Sequence, residues 1–175
     1  MNTVRKRFFL DDKIYTPSEI EYVLNLAVND GMTTGNNQGV QYFNIPCAFD
    51  IETTSFYVDT NSGKILDYEN LKREKELNNN FEPEKRAIMY IWQFGINGRV
   101  IIGRTWPEFV NMLNFISKFL KLNNERRLLI YVHNLAYEFQ FFRKILDWEK
   151  IFSIAKREPI YALTKNFIEF RCSLK

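Results

Sequence analysis

The sequence predicts an α/β domain built on a mixed sheet, and three observations carry that prediction. Short apolar runs of strand length alternate with longer stretches whose apolar residues recur at helical spacing. Asn97-Gly98 stands between two apolar runs, a strong hairpin signal because both turn residues need positive φ. Two capping signatures with an early proline, Thr16-Pro17-Ser18-Glu19 and Thr105-Trp106-Pro107-Glu108, open two of the helical stretches.

Along the chain, Arg5, Lys6 and Arg7 make a basic arm. Only three apolar residues follow before Asp11 and Asp12, so no signal peptide is expected. Behind Thr16, the residues Ile20, Val23, Leu24 and Ala27 repeat as one helical face. Residues 31–39 (GMTTGNNQG) have the composition of a connector. The expected boundary lies near residue 40, with an N-terminal arm and helix over 1–40 and the main domain over 41–175. The first strand is expected at 46–52. A polar excursion over roughly 59–86 reads as a surface insertion with one short helix.

The runs 88–96 and 99–104 form the expected hairpin. Phe109, Met112, Leu113, Ile116, Phe119 and Leu120 make the stripe of the next helix. Residues 128–132 (LLIYV) read as a buried strand that His133-Asn134 ends. A helix over about 135–147 should follow, with Leu135, Phe139, Phe142 and Leu146 inward. Strands are expected at 151–155 and 166–172.

Composition narrows the classes. A chain of 175 residues can bury a core unaided, and its sixteen Phe and nine Tyr make that core ring-rich. A net charge of +3 excludes a histone-like protein but permits a local basic surface. Cys47 and Cys172 form neither a metal spacing nor a disulfide framework. Cys47 lies in an apolar run and reads as a buried thiol, which fits a reducing, cytoplasmic compartment. No apolar stretch approaches membrane-spanning length, so no membrane partner is expected.

Strand alternation decides what the acids of residues 46–52 can do. Cys47, Phe49 and Ile51 point one way, and Ala48, Asp50 and Glu52 the other. The two carboxylates then lie roughly 7 Å apart, at about 3.3 Å per residue. Acids on one side of an apolar strand repel each other and call for a cation. Hard divalent ions with oxygen ligands supply one, and two such ions suit phosphodiester hydrolysis. The plainer alternative is a strand end where both acids face water.

A second constellation follows the strand at 128–132. Asn134 is a natural N-cap, which puts Glu138 about one turn into the helix, near its positive end. Leu135, Phe139 and Phe142 share its side, so the carboxylate needs a metal, a cation or a proton, unless it reaches solvent at the helix edge. Tyr137 and Phe141 offer rings on which single-stranded bases could stack, or belong to the core. His133 could touch a phosphate or base, or only close the turn.

These residues resemble a known family. Phe49-Asp50-Ile51-Glu52-Thr53-Thr54 resembles the first exonuclease motif, D-x-E-T, of family B DNA polymerases. His133-Asn134-Leu135-Ala136-Tyr137-Glu138 resembles their second motif, and the likeness is greatest to the protein-primed, phage phi29-like branch. The resemblance covers the chain from about residue 45 onward and implies a ribonuclease H-like DEDD 3′→5′ exonuclease fold: a mixed sheet flanked by helices, here with an N-terminal helical extension. It implies that Asp50, Glu52 and Glu138 bind two Mg²⁺ or Mn²⁺ ions. Thr53, Tyr131, His133, Asn134, Tyr137 and Phe141 would hold the 3′ end of single-stranded DNA. The implied setting is DNA replication in a bacterial host cell, with a polymerase body or a terminal protein as further partner.

Two departures stand out. Glu138 occupies a position where the family usually has Asp. The third motif, Tyr-x-x-x-Asp, is absent, since Tyr161 is followed four residues later by Lys165. The expected function is therefore a proofreading exonuclease module that needs a further C-terminal part for full activity. A catalytically weak module that binds single strands or docks on a protein is the alternative. A free-standing DEDD exoribonuclease is a third, disfavoured by the missing motif.

Overall fold

Residues 47–52 alternate buried and exposed without a break, and this strand organises the rest. The computed structural model describes residues 5–8, 17–35, 39–78 and 80–174. The elements run β1 (Arg5–Phe8), α1 (Pro17–Asn29), β2 (Met32–Thr34), β3 (Gln41–Phe43), β4 (Cys47–Val58), β5 (Ile65–Leu66), α2 (Tyr68–Leu77) and β6 (Glu84–Ile96). Then follow β7 (Arg99–Gly103), α3 (Trp106–Phe119), β8 (Arg126–Val132), α4 (Leu135–Phe142), β9 (Trp148–Ala155), β10 (Glu158–Thr164) and β11 (Ile168–Cys172). The class is α/β with a mixed sheet.

The chain divides into two compact units, one of residues 1–51 with 91–175 and one of residues 52–90. In the first unit, β6 and β7 pair antiparallel through the Asn97-Gly98 turn, whose φ angles of 46° and 74° are those the hairpin requires. The neighbouring strands β4, β8 and β11 run parallel: Phe49 pairs with Val132, and Phe170 with Ile130. β10 and β9 extend that side as antiparallel strands.

α3 begins in the expected capping box. Thr105 Oγ1 accepts from the Glu108 amide, and Glu108 Oε2 accepts from the Thr105 and Arg104 amides at 2.8 Å each. Phe109, Met112, Leu113 and Ile116 are fully buried along its stripe. The core is ring-rich, as composition predicts. Phe49 stacks on Phe109 at 4.5 Å between centroids and meets the edges of Phe142 at 5.6 Å and Phe170 at 6.2 Å. Cys47 and Cys172 are free, buried thiols.

The second unit holds the rest of β4, then β5, α2 and the start of β6. β4 turns into β5 through a loop closed on Asp59, whose carboxylate accepts from the Asn61 amide at 2.8 Å and the Ser62 hydroxyl at 2.7 Å. Those bonds hold the Asp59 carboxyl below its usual pKa. Asp67 caps α2 by accepting from the Asn70 amide at 2.8 Å, and no α2 residue is buried. One short helix in a polar excursion is what the sequence predicts.

Several expectations need correction. The helix expected over 135–147 ends at Phe142, where the Ile145 and Leu146 amides bond back to the Phe142 carbonyl in a tight turn. Trp148 Nε1 then donates to the Arg143 carbonyl at 2.8 Å, and β9 starts there. The expected connector at 31–39 contains β2, which pairs with β3. The first strand extends to Val58 instead of ending near residue 52. β10 was not among the expected strands. Thr16, which opens the first capping signature, lies outside the described residues; α1 spans Pro17–Asn29.

Candidate functional site

The first motif begins within β4, beside the end of β8 where the second motif follows. β4 and β8 pair through Ala48 with Tyr131 and Phe49 with Val132. Asp50 is the next residue of β4, and His133-Asn134 directly follows Val132. Neighbours in register share a face, so Ala48, Tyr131, Arg171 and Tyr161 form one row across β4, β8, β11 and β10. Asp50 lies one pleat beyond Ala48 on that face and is exposed.

The turn after β8 is tied down. The Ser173 amide donates to the Val132 carbonyl at 2.8 Å, and Cys172 Sγ donates to the His133 carbonyl at 3.6 Å. Asn134 is the N-cap of α4, accepting from the Tyr137 amide at 3.3 Å. Tertiary packing then fixes the helix: Leu135 and Phe142 are fully buried, and Glu138 is only 3 % exposed beside them. This is the side on which the sequence places Glu138, and the alternative of a carboxylate reaching solvent does not hold. The helix dipole favours a negative charge in that first turn.

The rings do not join the core. Tyr131 and Tyr137 are each close to half exposed, and Phe141 is half-buried with its ring 5.3 Å from that of Tyr137. His133 is exposed. Glu52 and Thr53 open the second unit, Glu52 exposed and Thr53 half-buried.

Carboxylates at 50, 52 and 138 offer the hard oxygen donors that Mg²⁺ or Mn²⁺ prefers. The chemistry of the donor set fits a divalent ion. Among the described residues no group of three or more His, Cys, Asp or Glu side chains is arranged to hold a metal ion.

Sequence reasoning missed a polar network on the same face. Glu169 is completely buried on β11. Its carboxylate accepts from Tyr42 Oη at 2.9 Å, Arg127 Nη1 at 3.3 Å and Arg171 Nε at 2.6 Å. Arg171 Nη2 also donates to Tyr42 Oη at 3.1 Å, and Arg127 Nη1 to Tyr161 Oη at 3.3 Å. Burial opposes the Arg171 charge, but Glu169 beside it more than compensates and lifts its pKa above the ordinary value. Burial, then the Glu169 charge, raises both Tyr42 and Tyr161. The period-2 placement of Glu169 and Arg171 was legible; the covering Tyr42, 127 residues away, was not.

Comparison with family models, with curated proteins and with solved structures finds no match for this chain.

Proposed function

We propose that this chain is a nuclease-type module of ribonuclease H-like fold that takes the 3′ end of a single-stranded DNA where β4 passes the end of β8. One observation carries the reading. The D-x-E-T motif and the His-Asn turn, 80 residues apart in sequence, come together on neighbouring parallel strands, the first within β4 and the second at the end of β8. Exposed Tyr131, Tyr137 and His133 surround that end, and base stacking on such rings contributes about 1–3 kcal/mol each. Asn134 orients the second motif by capping its helix.

Asp50, Glu52 and Glu138 would hold the divalent ions, which in such enzymes supply an activated water and stabilise the leaving oxygen. The chain's own residues bind and orient the strand: rings take the bases, while His133 and Thr53 reach the backbone. The third motif is absent from this sequence, and a polymerase body is the protein partner this reading proposes.

A second reading, a single-strand-binding module without catalysis, is favoured by the absence of a gathered acidic group among the described residues. A 3′-labelled strand offered with Mg²⁺ or Mn²⁺, alone and with a polymerase body, separates the two. Digestion that Asp50→Ala abolishes supports the first reading. Binding without digestion in either setting supports the second.

A further inference from the structure

A cavity of about 390 Å³ opens in the first unit between the β2–β3 hairpin and the row of side chains on β8 and β11. Tyr42, Phe43, Leu129, Tyr131, Thr34 and Arg171 line it. Its size falls within the roughly 300–1,000 Å³ of small-molecule sites. Its walls combine a fixed cation with rings and aliphatic surface.

The cation is held in place by the Glu169 network. Glu169 engages Arg171 through Nε and Nη2, at 2.6 and 2.5 Å, and the guanidinium lies over the Tyr42 ring at 5.2 Å. Nη1 makes no hydrogen bond among the described residues, and the side chain stays 37 % exposed. One buried carboxylate faces two guanidinium groups, Arg127 and Arg171, so the network carries one positive charge in excess. With Nε and Nη2 taken up by Glu169 and Tyr42, the two N–H donors of Nη1 are left for a phosphate. Tyr131, exposed beside it, and the Phe43–Leu129 wall suit a flat ring.

We infer that this cavity binds a nucleoside monophosphate, with the phosphate on Arg171 and the base against Tyr131 and the apolar wall. The choice of a nucleotide over another ringed anion rests on the nuclease reading; the anion site itself does not.

The test is calorimetric titration of the full chain with 2′-deoxyadenosine 5′-monophosphate, inorganic phosphate and deoxyadenosine, all in EDTA. The monophosphate should bind at least tenfold more tightly than either fragment. Arg171→Met should weaken it at least tenfold and Tyr131→Ala several-fold. Tyr131 lies outside the Glu169 network, so its variant keeps the test valid if Arg171→Met misfolds. Phosphate binding as tightly as the nucleotide would overturn the ring assignment. No binding in EDTA, or binding indifferent to both substitutions, would overturn the site. Nucleotide uptake that appears only with a divalent ion would also overturn it, since the ligand would then sit at the acids, and the nuclease reading would survive. Uptake in EDTA by a chain that never digests DNA would uphold the cavity and reject the nuclease.

Discussion

Phe49 is the side chain through which β4, and with it Asp50, is anchored, and its truncation gives a quantitative test of the packing. It is 2 % exposed and contacts rings from α3, α4 and β11. Burial of a Phe side chain is worth about 1.5–3 kcal/mol, and each well-placed ring pair adds about 0.5–1.5. β4 is bonded to strands on both sides, so the backbone cannot move in to fill the space. Phe49→Ala should therefore fall in the upper part of the usual range for Phe truncation, about 4 kcal/mol, and Phe49→Leu should cost about 1–1.5. At about 2–4 °C per kcal/mol for a chain this long, the alanine variant should melt roughly 8–16 °C lower. Tyr131→Ala, close to half exposed on the opposite face, should cost under about 1 kcal/mol. Urea unfolding with fitted m-values measures all three. A Phe49→Ala loss below about 1.5 kcal/mol at unchanged m, or a larger loss for Tyr131→Ala, would refute the assignment of inner and outer faces.

Gly103 has no room for a side chain: a Cβ there would stand 2.0 Å from Trp92 Cζ2, and Trp92 Nε1 is tied to the Thr105 carbonyl at 2.8 Å. Gly103→Ala should destabilise by about 1–3 kcal/mol or more, and an unchanged melting temperature would show that the contact relaxes freely. Asn134→Ala removes the α4 cap and should cost about 1 kcal/mol, with Asn134→Asp recovering most of it in the same denaturation assay. Glu169→Ala strands two guanidinium groups; with Arg171 partly solvated the loss should be about 3 kcal/mol, and Glu169→Gln should lose less. Stability should also fall with alkali. Burial pushes the Cys47 thiol from 9.0 up to about 12, and Tyr42 and Tyr161 lie above the ordinary phenol value. The fold keeps protons that the unfolded chain releases, so the stabilisation is complete below about pH 9 and declines toward pH 12. Urea midpoints should drop over that window, less steeply in Cys47→Ala; a flat profile counts against it.

What the sequence reveals follows from the range of the forces involved. Asn97-Gly98 and Thr105–Glu108 act within four residues, and both their type and position were legible. The alternation over 47–52 was legible because one face of β4 meets a ring core and the other does not. The end of α4 was not, because Leu146 keeps the helical period and is buried in the turn that follows the helix. β2 was hidden by a Gly-, Thr- and Asn-rich composition and exists through pairing with β3. The candidate residues of the second motif were local to one strand–turn–helix, so Asn134 and Glu138 fell where expected. The Glu169 network draws on β3, β8, β10 and β11, and no window of sequence contains it.

That network also bears on where function lies. The face of the sheet under α3 and α4 supplies the stacked rings and most of the apolar burial. The opposite face carries Asp50, Tyr131, Arg171 and a fully buried carboxylate. Taking Glu169 and its arginines out of water costs several kcal/mol per ion before their attraction returns any of it, and apolar residues of similar volume often hold a fold as well or better. Stability alone therefore gives no reason to place this cluster beside the end of β8. The proposed ligand site gives such a reason, because Glu169 holds the Arg171 guanidinium in one orientation toward the cavity it lines. Replacing Glu169, Arg127, Arg171 and Tyr42 together by Leu, Met, Leu and Phe removes the whole cluster without stranding a charge and separates the two roles. If the cluster serves recognition, the quadruple variant should fold at least as stably as the parent and lose its affinity for nucleotide.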